Sequence, residues 1–157
     1  MLEKPLVSVV CLCHNQASFV RDAIYSVLDQ TYDNIELIVV DDASTDRSKY
    51  TIRSIVNKLD NVRFIALNEN LGNCRAFNSV LHLLKGKYVI DLAADDMLLP
   101  DRVKIGVEDL EARGDEYGIN FTNVEIVDEQ GLHLRHHYKV DPWGIAREQP
   151  PHGDLYA

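Results

Sequence analysis

Residues 6–42 read LVSVVCLCHNQASFVRDAIYSVLDQTYDNIELIVVDD, and two apolar runs in this stretch decide the architecture. Leu6 to Cys13 and Ile35 to Val40 are nearly unbroken and rich in valine and isoleucine. Continuous rather than alternating apolarity is the pattern of strands buried on both faces, as in a parallel sheet. Between them Val20, Ala23, Ile24, Val27 and Leu28 recur at helical spacing. Ser18 is placed to cap that helix, and Thr31 to Asn34 breaks it. The unit is strand, helix, strand.

The same alternation continues outward. Asp41 and Asp42 end the second strand. Ser44 or Thr45 is placed to cap a helix with Ile52, Ile55, Val56 and Leu59 on its inner stripe. Val62 to Leu67 reads as a third strand, NENLGN (68–73) as a polar turn, and Asn73 to Leu84 as helix ended by Gly86. Tyr88 to Leu92 is the fourth strand, and Pro100 suits the first turn of a helix facing inward with Val103, Val107 and Leu110. Four alternations with short connections predict an α/β, Rossmann-like fold, its mostly parallel sheet covered by helices on both faces. After Gly118 the pattern changes: Ile119 to Val127 reads as strand, Asp128–Gly131 as a turn, and Leu132 to Tyr138 as a returning strand. DPWGIAREQPPHGDLYA (141–157) lacks periodicity and reads as an extended tail. Residues 1–130 are thus assigned to one α/β domain. Residues 131–157 are assigned to a hairpin strand and tail that open a further, incomplete region.

Bulk composition narrows the function. The chain has 157 residues, 46% apolar and 26% charged, which suits one soluble domain. A formal net charge of −9 argues against nucleic acid as a partner. It leaves room for a nucleotide, because a divalent cation can supply positive charge locally. Cys11, Cys13 and Cys74 are odd in number, and the first two are too close for an ordinary disulfide, which suggests free thiols in a reducing cytoplasm. No signal peptide or membrane-spanning segment is evident. The expectation is a cytoplasmic protein, including one that works at the inner face of the membrane.

Ligands of open parallel sheets bind beyond the carboxyl ends of the strands, where strand order reverses. His14 and Asn15 follow strand one, Asp41 and Asp42 end strand two, and in VIDLAADDMLLPD (89–101) Asp95 and Asp96 follow strand four. All are expected on one rim. Adjacent carboxylates repel unless something relieves them. Oxygen-only donors favour Mg²⁺ or Mn²⁺, and such an ion calls for an anionic ligand such as a diphosphate. The plain alternative is that these aspartates are turn and capping residues. His133, His136, His137 and His152 lack the partners of a zinc site and read as solvated. Trp143 reads as packing the tail down, and NLGNCR as a turn before a helix.

PLVSVVCLCHNQASFVRDAIYSVLDQTYDNIELIVVDDASTD (5–46) resembles the opening of family 2 glycosyltransferases of the GT-A fold, and LHLLKGKYVIDLAADDMLLPDRV (81–103) resembles their metal-binding region. The likeness implies a nucleotide-sugar donor, usually UDP-linked, with Mn²⁺ or Mg²⁺ as cofactor. It further implies inverting transfer to a hydroxyl of a carbohydrate or lipid-linked acceptor, as in polysaccharide biosynthesis. By the same resemblance Asp42 would bond the base edge, Leu12 and His14 would form the base pocket beside Asn15, and Asp95 would be the metal ligand with Asp96 assisting. The chain departs from the family at Leu12-Cys13-His14, where Pro-Thr-Tyr is usual, and at Ala93, where the first Asp of the D-x-D motif is usual. At Phe77 the family often has an arginine that serves the diphosphate, and Arg75 is the nearest substitute. The general base is expected beyond Ala157. A non-catalytic nucleotide-binding module, or a fragment lacking the base, is therefore the alternative reading. A phospho-receiver domain, which also gathers aspartates at a rim, is disfavoured because strand one ends in Cys-His-Asn and strand three in Leu-Asn.

Overall fold

In the computed structural model, residues 4–59 and 61–139 are described. The valine-rich run forms β1 (Val7–Cys13), every residue of which is buried. It pairs in parallel with β2 (Ile35–Asp41), from Val7 opposite Ile35 to Cys13 opposite Asp41. β3 (Val62–Ala66) lies beyond β2, and β4 (Tyr88–Ala93) lies on the other side of β1. The order is therefore β3-β2-β1-β4. The chain steps outward from β1 to β3 and then returns across the sheet, so strand order reverses between β1 and β4. That reversal is the topological switch point.

Alternating side chains of the central strands go to opposite faces. Val9, Cys11 and Cys13 of β1 pack with helix α1 (Val20–Leu28), helix α2 (Ser48–Val56) and helix α4 (Arg102–Arg113) through Ile24, Ile52 and Val103. Val10 and Leu12, with Ile38 and Val40 of β2, pack against Ala76 and Val80 of helix α3 (Asn73–Val80). Helices cover both faces, as the apolar runs predict. At about 1.5–3 kcal/mol per buried aliphatic side chain, the β1–β2 pair anchors both layers.

Three local expectations are corrected. The α-helix predicted over 73–84 ends at Val80 and tightens into a 3-10 turn at Leu81–Leu83. Gly86 is not its terminator. A Cβ there would lie 2.5 Å from the Ser8 backbone nitrogen, so this glycine permits a close approach to β1, and its N–H donates to Ser8 Oγ at 2.8 Å. Neither Ser18 nor Ser44 nor Thr45 caps a helix. Phe19 precedes α1 without a side-chain cap, and the Ser48 N–H that opens α2 goes to Asp46 Oδ1 at 2.9 Å. Ser44 Oγ instead accepts the Asn15 N–H at 2.9 Å, because the first loop competes for it.

The chain divides into two compact units, Met1–Ala112 and Arg113–Ala157. In the second, β5 (Glu125–Val127) pairs antiparallel with β6 (His133–His136) around the predicted turn, which holds both sides of residue 130 together. The strand predicted from Ile119 is shorter than expected. Asn123 replaces ladder pairing with its side chain, donating to the Tyr138 carbonyl at 3.1 Å and accepting the Tyr138 N–H at 2.9 Å. His133 is exposed and contacts Glu125 at 2.6 Å. Trp143, His152 and the tail from residue 140 lie outside the described residues. Among the described residues no helix is long and apolar enough to cross a membrane.

Candidate functional site

The loops after β1, β2 and β4 meet at the carboxyl rim. Asp42 is 4% exposed and is held by backbone. Its N–H donates to the Cys13 carbonyl at 2.8 Å. Its Oδ1 accepts from the Leu71 N–H at 2.8 Å and its Oδ2 from the Gly72 N–H at 2.9 Å. Each oxygen keeps a lone pair for a further donor. Asp41 faces the other way and is fully buried. Its Oδ2 takes the Ser44 N–H at 3.3 Å, while its Oδ1 has no protein partner.

His14 is locked in one tautomer by the same loops. Its Nδ1 lies 2.7 Å from the Asp42 carbonyl, which can only accept, so Nδ1 carries the proton. Its Nε2 lies 3.2 Å from Asn15 Nδ2 and 3.0 Å from Asn70 Nδ2. Both amides are oriented by their oxygens: Asn15 Oδ1 accepts the Thr45 N–H at 2.8 Å, and Asn70 Oδ1 accepts the Gly72 N–H at 2.9 Å. Nε2 is therefore an acceptor. Both ring nitrogens are spent within the protein, which leaves the imidazole face for a ligand. Asn15 holds this place at φ 56, a left-handed conformation that asparagine tolerates.

A pocket of about 230 Å³ opens here, lined by Leu12, Cys13, His14, Asp42, Asn70, Gly72, Asn73 and Ala76. Of the residues singled out in the sequence, Leu12, His14 and Asp42 line it directly, and Asn15 holds the histidine. Asn70, Gly72 and Asn73 went unrecognised because NLGNCR reads as a turn. Gly72, at φ 76, was the available signal: the loop must turn there to aim two N–H groups at Asp42. Arg75 is exposed on α3 and is not among the pocket residues.

Asp95 and Asp96 sit on the other side of the switch point, beyond β4, and both are exposed. The ladder runs one residue on into their loop, with the Ala94 N–H on the Leu12 carbonyl at 2.9 Å, and a turn then closes with the Asp96 N–H on the Ala93 carbonyl at 3.0 Å. Partial burial, and then the Asp95 charge, push the Asp96 carboxyl above its ordinary range. Gln16, also unrecognised in the sequence, donates from Nε2 to Asp95 Oδ2 at 3.1 Å.

Comparison with known proteins shows the family. The family model described as "Glycosyl transferase family 2" matches residues 8–153. This chain belongs to glycosyltransferase family 2. Bacillus subtilis TuaG, a glycosyltransferase named for teichuronic acid biosynthesis, is 31% identical over 131 residues, 83% of this chain and 51% of the relative. A Rickettsia felis glycosyltransferase is 35% identical over 132 residues, 84% of this chain and 22% of its own length. This family 2 chain thus spans about half the length, or less, of the curated relatives it matches. Among solved structures, S. aureus TarS shares 26% identity at a TM-score of 0.58, over 64% of this chain and 30% of that one. TarS has been solved with UDP and with UDP-GlcNAc. The Pyrobaculum calidifontis mannosyltransferase PcManGT, solved with GDP-Man and Mn²⁺, shares 25% identity at a TM-score of 0.60, over 66% of this chain and 31% of that one. The fold of the family 2 chain is GT-A, built on a four-stranded parallel sheet.

Proposed function

We propose that this chain forms the donor-binding part of an inverting hexosyltransferase. It would take a UDP-linked sugar and pass the sugar to a hydroxyl on a carbohydrate or lipid-linked acceptor, in polysaccharide assembly on the cytoplasmic side of a membrane. One observation carries the reading: a pocket holding Asp42 and the face of His14 lies on one side of the switch point, and Asp95 and Asp96 lie on the other. In this reading the base packs against Leu12 and the imidazole face. Asp42 accepts from the base edge with the lone pairs left by Leu71 and Gly72, and Asn15 keeps the ring in place. Binding the nucleotide away from the reacting carbon positions the sugar for attack.

Asp95 and Asp96 would hold Mn²⁺ or Mg²⁺. Among the described residues no cluster of three or more His, Cys, Asp or Glu could form a closed cage. Two carboxylates alone fit an ion that completes its shell with substrate phosphates and water. When bound, the ion offsets charge developing on the diphosphate leaving group. The chain's own contribution is to hold the two carboxylates at the rim, with Arg75 as the side-chain cation offered to the diphosphate. The general base is assigned to none of the described residues.

Calorimetric titration with UDP, with and without Mn²⁺, tests the reading, and GDP serves as the competing nucleotide. The expected result is UDP binding that Mn²⁺ strengthens and that loses this dependence in Asp95→Ala. Equal or tighter binding of GDP would overturn the assignment of the base. Binding indifferent to Mn²⁺ would overturn the role of the acidic pair.

A further inference from the structure

We infer that Gln16 is a positioning residue for Asp95, tying the loop of the base pocket to the loop of the acidic pair across the switch point; this rests on the donor-site reading above. Gln16 is fixed at its own backbone from two sides. Its N–H donates to Ser48 Oγ at 2.9 Å, with Ser48 itself fully buried at the start of α2. Its carbonyl accepts the Phe19 N–H at 3.1 Å and the Val20 N–H at 2.9 Å, where α1 begins. From this anchored base the side chain reaches the β4–α4 loop and donates to Asp95 Oδ2 at 3.1 Å, across 79 positions of sequence.

The chemistry of the donor matters as much as its reach. An arginine or lysine in this place would fix Asp95 equally well, but its charge would compete with a cation for the carboxylate. A primary amide orients the carboxylate, spends one lone pair of one oxygen, and leaves the full negative charge for a metal. Outer partners that orient a ligating group typically change metal affinity about 10–100-fold when removed. Gln16 also follows Asn15 directly, and Asn15 holds the His14 ring. The base pocket and the acidic pair are therefore joined through two consecutive residues of one loop.

The test compares UDP dissociation constants with and without Mn²⁺ in the whole chain, alongside loss of the free Mn²⁺ signal by electron paramagnetic resonance. Gln16→Leu removes the donor, and Gln16→Lys keeps a donor but adds a charge. Each is expected to lower the Mn²⁺ enhancement of UDP binding about tenfold or more. A merely structural role would weaken the metal-free and metal-bound titrations alike, leaving the enhancement intact, and would be rescued by Gln16→Lys. Either of those results overturns the assignment. If the unaltered chain and Asp95→Ala already show the same Mn²⁺ response, the donor-site reading itself has failed. If they differ as expected while Gln16→Leu keeps the full enhancement, only the role of Gln16 has failed.

Discussion

At Asp42 one side chain does the work of a loop. Its two oxygens hold the N–H groups of Leu71 and Gly72, and Asn70 Oδ1 shares the second of these. In Asp42→Asn a single oxygen remains, and the amide turns a donor toward one of the two N–H groups. Hydrogen bonds to a charged acceptor contribute about 1.5–3 kcal/mol. Because Gly72 has a second acceptor, the expected loss is at the low end, about 1.5 kcal/mol, read as a lower urea midpoint at unchanged slope. An unchanged midpoint would mean the 71–72 turn holds its shape without this carboxylate. Asp91 supports a second expectation. Partial burial beside β1 pushes its carboxyl above the ordinary value of 3.8. The folded state thus keeps a proton that the unfolded chain has released. The stability this brings is full below the unfolded value and is lost as pH rises through the folded one. Asp91→Asn should therefore gain on the unaltered protein between acid and neutral pH and run parallel to it above, with a small amplitude because the site is open to solvent. Paired urea melts from about pH 3 to about pH 7 check the sign. Single residues were legible where chemistry is concentrated: His14, Asp42, Asp95 and Asp96 stood out as polar groups ending apolar runs. Gln16 and Asn70 did not, since neither the reach of an amide across 79 residues nor a paired N–H turn leaves a periodic trace.

Among the elements, α1 is the scaffold of the acidic loop. Ser26 Oγ accepts the Leu98 N–H at 3.1 Å, and the Thr31 N–H donates to the Pro100 carbonyl at 2.9 Å. Gln30 does most: its Nε2 donates to the carbonyls of Ser26 and Leu99, at 2.9 and 2.8 Å, and its Oε1 accepts the Val103 N–H at 3.0 Å. That last bond satisfies one of the open donors at the start of α4, the task of an N-cap performed from the segment that follows α1. Gln30→Ala is expected to cost about 2 kcal/mol, a cap and a second partly buried partner being lost together. It should also speed amide hydrogen exchange from Leu98 to Val103 more than within β1. Uniform acceleration would point instead to general loosening. The same competition explains which element features the sequence conveyed. The four strands of the parallel sheet and the inner helix stripes follow from apolar periodicity, and those strands lie within a residue of their predicted bounds. Caps do not, because Ser44 sits where two loops converge and its Oγ accepts the Asn15 N–H, while the N–H that opens α2 is taken by Asp46, which also accepts the Ala17 N–H of the neighbouring loop.

Across the whole molecule, all the candidate site residues belong to the Met1–Ala112 unit, and the hairpin belongs to the other. The architecture of the first unit was legible because parallel strands must be buried on both faces, which writes them as unbroken apolar runs. The second was read less well, because Asn123 closes it with a side chain where a strand was expected. This division shapes how a ligand should stabilise the protein. A ligand that binds only the folded state adds about 2.7 kcal/mol when present at 100 times its dissociation constant. For a protein of this size each kcal/mol moves the melting temperature by about 2–4 °C. UDP with Mn²⁺ at that excess should therefore raise the melting of the site-bearing unit by about 5–10 °C. Calorimetry can follow that transition while hydrogen exchange reports the hairpin separately. The hairpin amides should keep their exchange rates while those of β1 and β2 slow. If the hairpin gains the same protection, the two units unfold as one cooperative body. If neither gains any, the nucleotide does not bind the folded rim, and the pocket at Asp42 serves some other ligand.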